Sequence, residues 1–163
     1  MELVIHGLAV VPEVVEVRDG ETSRELFERL RGKGHEIDLA VAVLSERDKD
    51  GDIDSTVVLI EFLDEGAHVH VRHRDRHCDK IDLRVRFGKE TKSRHVRVNS
   101  TVGKALEWAA SEFGIIPSQR AQYRLKLPTA TEYLDNDALF GELVTSPPCE
   151  LAVDLVRFEQ NAG

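Results

Sequence analysis

The sequence predicts an α+β fold built twice, as two small mixed sheets each crossed by one helix. Three observations lead there. Short strand-like segments dominate both halves, each half carries one amphipathic helical stretch, and the order of elements returns after about 80 residues. A chain of 163 residues can hold two such units, since domains run from roughly 50 to 200 residues. One helix per half is too little for a doubly wound sheet. A helix laid across one face of a sheet is the economical way to bury both apolar surfaces.

In the first half, Glu2–His6 and Glu13–Val17 read as strands, and Asp19-Gly20 as a turn. Thr22 or Ser23 can cap a helix over 23–31, in which Leu26 and Leu30 share a face and which Gly32 and Gly34 stop. A strand is expected over 37–44. The acidic loop 46–55 follows, and the segments 56–63 and 67–72 complete the half.

The second half repeats the order more clearly. Ile81, Leu83, Val85 and Phe87 alternate with Asp82, Arg84 and Arg86, the signature of a half-buried strand. A turn over 88–93 returns the chain into a partner strand at 94–98. Asn99 or Ser100 is the expected cap of a helix whose Val102, Ala105, Leu106, Ala109 and Phe113 fall on one face. Gly114 sits where a left-handed C-cap belongs. Tyr123, Leu125 and Leu127 mark another strand, and Leu151, Val153 and Leu155 the last one. The expected domains are 1–74 and 81–158, joined by a polar link at 75–80 and followed by a tail at 159–163.

Composition narrows the function. The formal net charge of −8 disfavours broad nucleic-acid binding, which needs clustered Lys and Arg, and adhesion to anionic membranes. The N-terminal stretch lacks a basic region and is interrupted by Pro12, Glu13 and Glu16, so it reads as neither signal peptide nor membrane span. Two cysteines, Cys78 and Cys149, are too few for a secreted disulfide scaffold and form no CxxC pair. A reducing cytoplasm is the expected compartment.

Residues that carry chemistry elsewhere have plainer readings here. The stretch 46–54 looks like half of a calcium loop, but Glu46 stands at its first position and Val57 at its twelfth, and strands flank it where helices should. It reads as an acidic hairpin loop. His68, His70, His73, His77 and Cys78 are the most metal-like cluster, yet Arg72, Arg74 and Arg76 are interleaved and would repel a cation. Cys78 has no base and orienting group to mark it as a nucleophile. With no phosphate loop, nucleophile elbow or scaffolded carboxylate pair, the sequence reads as no enzyme, with no metal and no cofactor.

The second half resembles ubiquitin. The residues that carry the likeness are the N-terminal hairpin, the capped helix, the crossover Gly114-Ile115-Ile116-Pro117-Ser118-Gln119-Arg120, and the stretch from Tyr133 to Leu143 before a last strand that runs into the tail. The first half matches in element order. Two such domains in one chain resemble the interferon-stimulated tandem modifier of vertebrates and the modifiers of bacterial Bil-type antiphage operons. The excess of Arg over Lys favours the bacterial relatives. The resemblance implies tandem ubiquitin-like (β-grasp) domains and a protein modifier that is itself a substrate.

By that resemblance an activating enzyme would adenylate the Gly163 carboxylate. A conjugating enzyme would pass it to a target amine as an isopeptide bond, and a deconjugating protease would reverse the step. Glycine suits this role because it lacks a Cβ and lets backbone approach closely. Gln160, Asn161 and Ala162 form the polar tail before it, with Ala162-Gly163 where such modifiers usually carry paired glycines. Arg124, Lys126, Ala152, Asp154 and Val156 are expected on the exposed sheet face where ubiquitin presents an apolar patch. A charged surface there implies dedicated partners. Trp108, on the helix flank, is a further candidate contact. The alternatives are a non-conjugated β-grasp adaptor and a single-domain type of sulfur carrier, against which the extra half argues.

Overall fold

The computed structural model describes residues 1–158. Gln160, Asn161, Ala162 and Gly163 lie outside the described residues. The chain divides into two compact units, one of Met1–Asp79 with Thr145–Pro147, the other of Lys80–Val144 with residues 148–158.

The first unit is a four-stranded mixed sheet in the order β2-β1-β4-β3. Its strands are β1 (Glu2–His6), β2 (Glu13–Glu16), β3 (Ala42–Glu46) and β4 (His68–His73). The hairpin β1–β2 and the pair β3–β4 are antiparallel, and β1 runs parallel to β4. A parallel pair cannot be joined by a tight turn, and the intervening chain supplies helix α1 (Ser23–Gly32) as the crossover. Thr22 caps α1 by accepting the Glu25 amide on its hydroxyl. Ser23, the other candidate cap, instead donates to the Asp54 carbonyl. Leu26, Phe27 and Leu30 then bury against Leu3, Ile5, Leu44, Val69 and Val71. Arg29, on the flank, ties α1 to the hairpin through Glu21 at 2.8 and 3.0 Å and the Glu16 carbonyl. Burial pushes the Glu21 carboxyl up, but Arg29 and the Arg18 amide outweigh it and hold the group below its ordinary range.

Two first-half expectations change. The strand expected over 37–44 begins only at Ala42, because Asp38 folds the chain into a turn. Its carboxylate accepts the Ala40 amide and its carbonyl accepts those of Val41 and Ala42. The stretch 56–63 contains a single helical turn, α2 (Leu59–Phe62), which buries Leu59 and Leu63, one turn apart.

The second unit repeats the plan with order β6-β5-β8-β7. Its strands are β5 (Lys80–Phe87), β6 (Glu90–Arg97), β7 (Tyr123–Lys126) and β8 (Glu150–Arg157). Helix α3 (Val102–Glu112) is its crossover, and the single turn α4 (Phe140–Leu143) corresponds to α2. β5 again pairs antiparallel with its hairpin partner and parallel with the last strand. Each unit is therefore an α+β β-grasp domain, and the two stand in tandem.

The β5–β6 hairpin is tighter than expected. Phe87 faces Glu90 across a two-residue loop, with Gly88 at φ 62°. Such a positive φ at the first loop residue matches the twist of the strands and suits glycine. The helix cap also moves one residue on, to Thr101, whose hydroxyl accepts the Lys104 amide. Asn99 is instead fully buried and accepts from Arg97. Thr101→Ala should therefore lower the melting stability of the second unit by about 1 kcal/mol, the usual loss for an N-cap. Ser100→Ala should change it little. Thermal denaturation followed by Trp108 fluorescence separates the two, since Trp108 is the sole tryptophan and lies on α3.

Candidate functional site at the end of the second sheet

β7 and β8 pair antiparallel, with Tyr123 opposite Arg157, Arg124 opposite Val156, Leu125 opposite Leu155 and Lys126 opposite Asp154. Leu125, Val153 and Leu155 are buried toward α3. By strand alternation Arg124, Lys126, Ala152, Asp154 and Val156 share the other face, but only Ala152 is exposed and the other four are half-buried. β5 adds Arg84 opposite Ala152 and Arg86 opposite Asp154.

The charges of this face are partly satisfied within the sheet. Arg86 donates to both oxygens of Asp154 at 2.9 and 3.1 Å, leaving the Asp154 side chain 14% exposed. Asp154 is thus held by a cross-strand pair. Arg84 reaches Asp82 and Glu150 along the same face. Lys126 and Val156 are half-buried. Trp108 stands apart from this group, on α3 across the sheet. There the Arg94 guanidinium lies 5.1 Å over its ring, a stacking that occupies one aromatic face within the same unit.

Where β8 ends, the chain is held by Gln122, Arg157 and Phe158, which sequence reasoning passed over, together with Tyr133 and Arg124. The Phe158 amide donates to the Gln122 carbonyl, and the Arg157 guanidinium donates to the Gln122 side chain. The Phe158 ring meets Tyr133 edge-on at 5.2 Å, and the Arg124 guanidinium lies 5.1 Å from its centre. Arg124 is itself fixed by donating to the Tyr123 and Ala121 carbonyls. The 3-10 turn Pro117–Gln122 delivers Gln122 to this point. A single aromatic residue opening an otherwise polar tail was the only signal the sequence offered.

The acidic loop and the histidine cluster of the first unit are committed to its own structure. Asp52 accepts from Arg72 at 2.9 Å and lies 3.5 Å from Arg74. Hydrogen bonds from the Thr56 hydroxyl and amide hold the Asp54 carboxyl below its ordinary range. The rings of His6 and His68 hydrogen-bond at 2.9 Å, His73 accepts the Asp38 amide, and His77 accepts the His73 amide. Cys78 is buried and is not a free thiol. No helix among the described residues is long and apolar enough to cross a membrane.

Residues 82–158 match the family described as BilA ubiquitin-like domain 2. The second unit is a BilA-type ubiquitin-like domain. The first unit repeats the topology of the second, so two β-grasp units stand in tandem in the chain. Among solved structures, the chain is similar to the ubiquitin of Caldiarchaeum subterraneum, at 14% identity over 51% of this chain and 99% of that one, with a TM-score of 0.40. It is also similar to the N-terminal ubiquitin-like domain in the 4931431F19Rik protein, at 10% identity over 52% and 81% of the two chains and a TM-score of 0.39. No curated protein matches it. The family match spans β7, β8 and Phe158, so the matched domain includes the strand that precedes residues 159–163.

Proposed function

We propose that the chain is a protein modifier, joined through the Gly163 carboxylate to amines of target proteins by cognate activating and conjugating enzymes. The observation that carries this reading is the match of the second unit to BilA ubiquitin-like domain 2, whose last strand, β8, precedes the segment carrying Gly163. The carboxylate would attack the α-phosphate of ATP, releasing pyrophosphate and forming an acyl-adenylate. An enzyme thiol then displaces AMP to give a thioester, and a target amine displaces the thiol to give the isopeptide bond. The chain supplies the acyl group and the recognition surface, and no catalytic group. A glycyl acyl carbon is the least hindered acceptor for the thiol and amine attacks. The need for ATP suits a cytoplasmic setting, and the Bil likeness supports a part in antiphage defence, with a deconjugating protease to recycle the modifier.

Recognition is expected on the face around Arg124, Lys126, Asp154 and Val156, with Trp108 a separate contact. A face patterned by ion pairs rather than an apolar patch favours partners with complementary charge and rejects others.

Incubation of the full chain with its cognate activating enzyme and ATP tests the reading. Intact mass and a non-reducing gel should show a thiol-labile adduct equal to the two masses less one water. Removing Gly163 should abolish it. An adduct that survives that deletion would refute acylation at Gly163, and a full-length chain that forms none and yet works in cells would make this a non-conjugated adaptor.

A further inference from the structure

Phe158 is the last described residue, and it is gripped from three sides. Its amide extends the β7–β8 pairing by one rung beyond Arg157 through the Gln122 carbonyl. Its ring packs edge-on against Tyr133, and its face lies under Arg124. These groups come from separate parts of the chain: the 3-10 turn, β7, and the loop before α4. Tyr133 is 38% exposed, and Arg157 and Gln122 are exposed. The grip therefore stands at the surface, outside the core of Leu125, Val153 and Leu155. A phenylalanine placed there contributes little to the core, so its use must be sought at the rim.

We propose that Phe158, Tyr133 and Arg124 form a clamp that fixes Phe158 as the root of residues 159–163, making Phe158 and Tyr133 positioning residues for reaction at Gly163. The inference rests on the conjugation reading above. Five residues separate the clamp from the reacting carboxylate, a reach of at most roughly 17 Å. Over so short a lead the angle at the root decides which volume the carboxylate can search. An enzyme that docks on the β7–β8 face then meets Phe158, the root of the tail, in a fixed relation to that face. Holding the root before docking removes an ordering cost from the encounter complex, so its loss should appear as weaker apparent binding and poorer delivery of the carboxylate. Arg124 links the clamp to recognition, because it belongs to the same sheet face as Lys126, Asp154 and Val156 and grips the ring as well.

The test is steady-state thioester formation by the cognate activating enzyme with the full chain, comparing Phe158→Ala, Phe158→Leu, Tyr133→Ala and the double variant Phe158→Ala/Tyr133→Ala. Each single alanine should lower kcat/KM about ten-fold, with the thermal unfolding of the second unit left nearly in place. Phe158→Leu keeps apolar bulk but loses the edge-on and cation contacts, and should fall with Phe158→Ala. The double variant should be no worse than either single, because the two rings act as one unit. Wild-type kcat/KM in the alanine variants, multiplying defects in the double variant, or a loss that merely follows the unfolding temperature would overturn the clamp. Gly163 deletion serves as the parallel arm. If it abolishes the thioester while the clamp variants react normally, only the clamp is wrong, whereas an adduct without Gly163 refutes the conjugation reading itself.

Discussion

Truncating Phe140 to alanine should destabilise the second unit by about 3–5 kcal/mol, the usual loss for a buried phenylalanine. Phe140 is fully buried and the largest of the wholly enclosed side chains. It opens α4, where its amide donates to the Ser100 carbonyl and its carbonyl accepts the Val144 amide, while the Gly141 amide reaches Val98. The ring is therefore anchored between a rigid turn and the entry to α3, and the backbone around it has little freedom to collapse into the space. Urea unfolding followed by Trp108 fluorescence reads this unit specifically. The midpoint should drop sharply, while the backbone amides of β4 in the first unit keep their exchange protection. A midpoint within a few tenths of wild type would show that the site relaxes and that α4 is not part of the core.

Acid should loosen the first unit as pH falls from 6.5 toward 4. His70 is 5% exposed on β4, with His6 and Ser45 as its register partners on the flanking strands and Arg72 two residues on along the same face. Burial, reinforced by His6, Arg72 and His77, pushes its imidazole down from 6.5 to about 4. Between those values the unfolded chain takes up a proton that the folded one refuses. The stability is fully present above the unfolded value and is lost as pH falls toward 4, by roughly 3 kcal/mol in all. His73 and His77 are displaced the same way, chiefly by burial, and add to the slope. Amide exchange of β4 residues at pH 7.5, 6 and 4.5 should show protection falling with acid, and His70→Gln should remove most of that fall. A flat profile in the wild-type chain would mean that His70 is protonated in place.

Much of this was legible in the residues, and the failures are informative. The leucine spacing of α1 and the longer apolar stripe of α3 identified both helices, because burial of one face demands that period. Alternation along β5 and β8 identified strands whose outward residues then fell where expected. Where two side chains could serve one purpose, the letters did not choose. Thr101 rather than Asn99 or Ser100 caps α3, since only the neighbouring strands decide where the helix may begin. Asp38 ended the expected strand at 37–44 by a local turn that competes with sheet pairing. The hairpin loop at Gly88 was drawn too long because polar strand residues such as Glu90, Lys92 and Arg94 look like loop.

The sequence by itself determined the repeated α+β plan and the placement of a charged face on β7 and β8. Those follow from periodicity, alternation and residue type, which are local properties. Only tertiary structure decided that Asp154 is spoken for by Arg86, that His70 is enclosed beside His6, and that Tyr133 and Arg124 close on Phe158. Each of those joins residues far apart in the chain, and strand register alone brings them within reach. A short-range pattern cannot encode a distance that depends on how the parallel strand between two hairpins comes to rest.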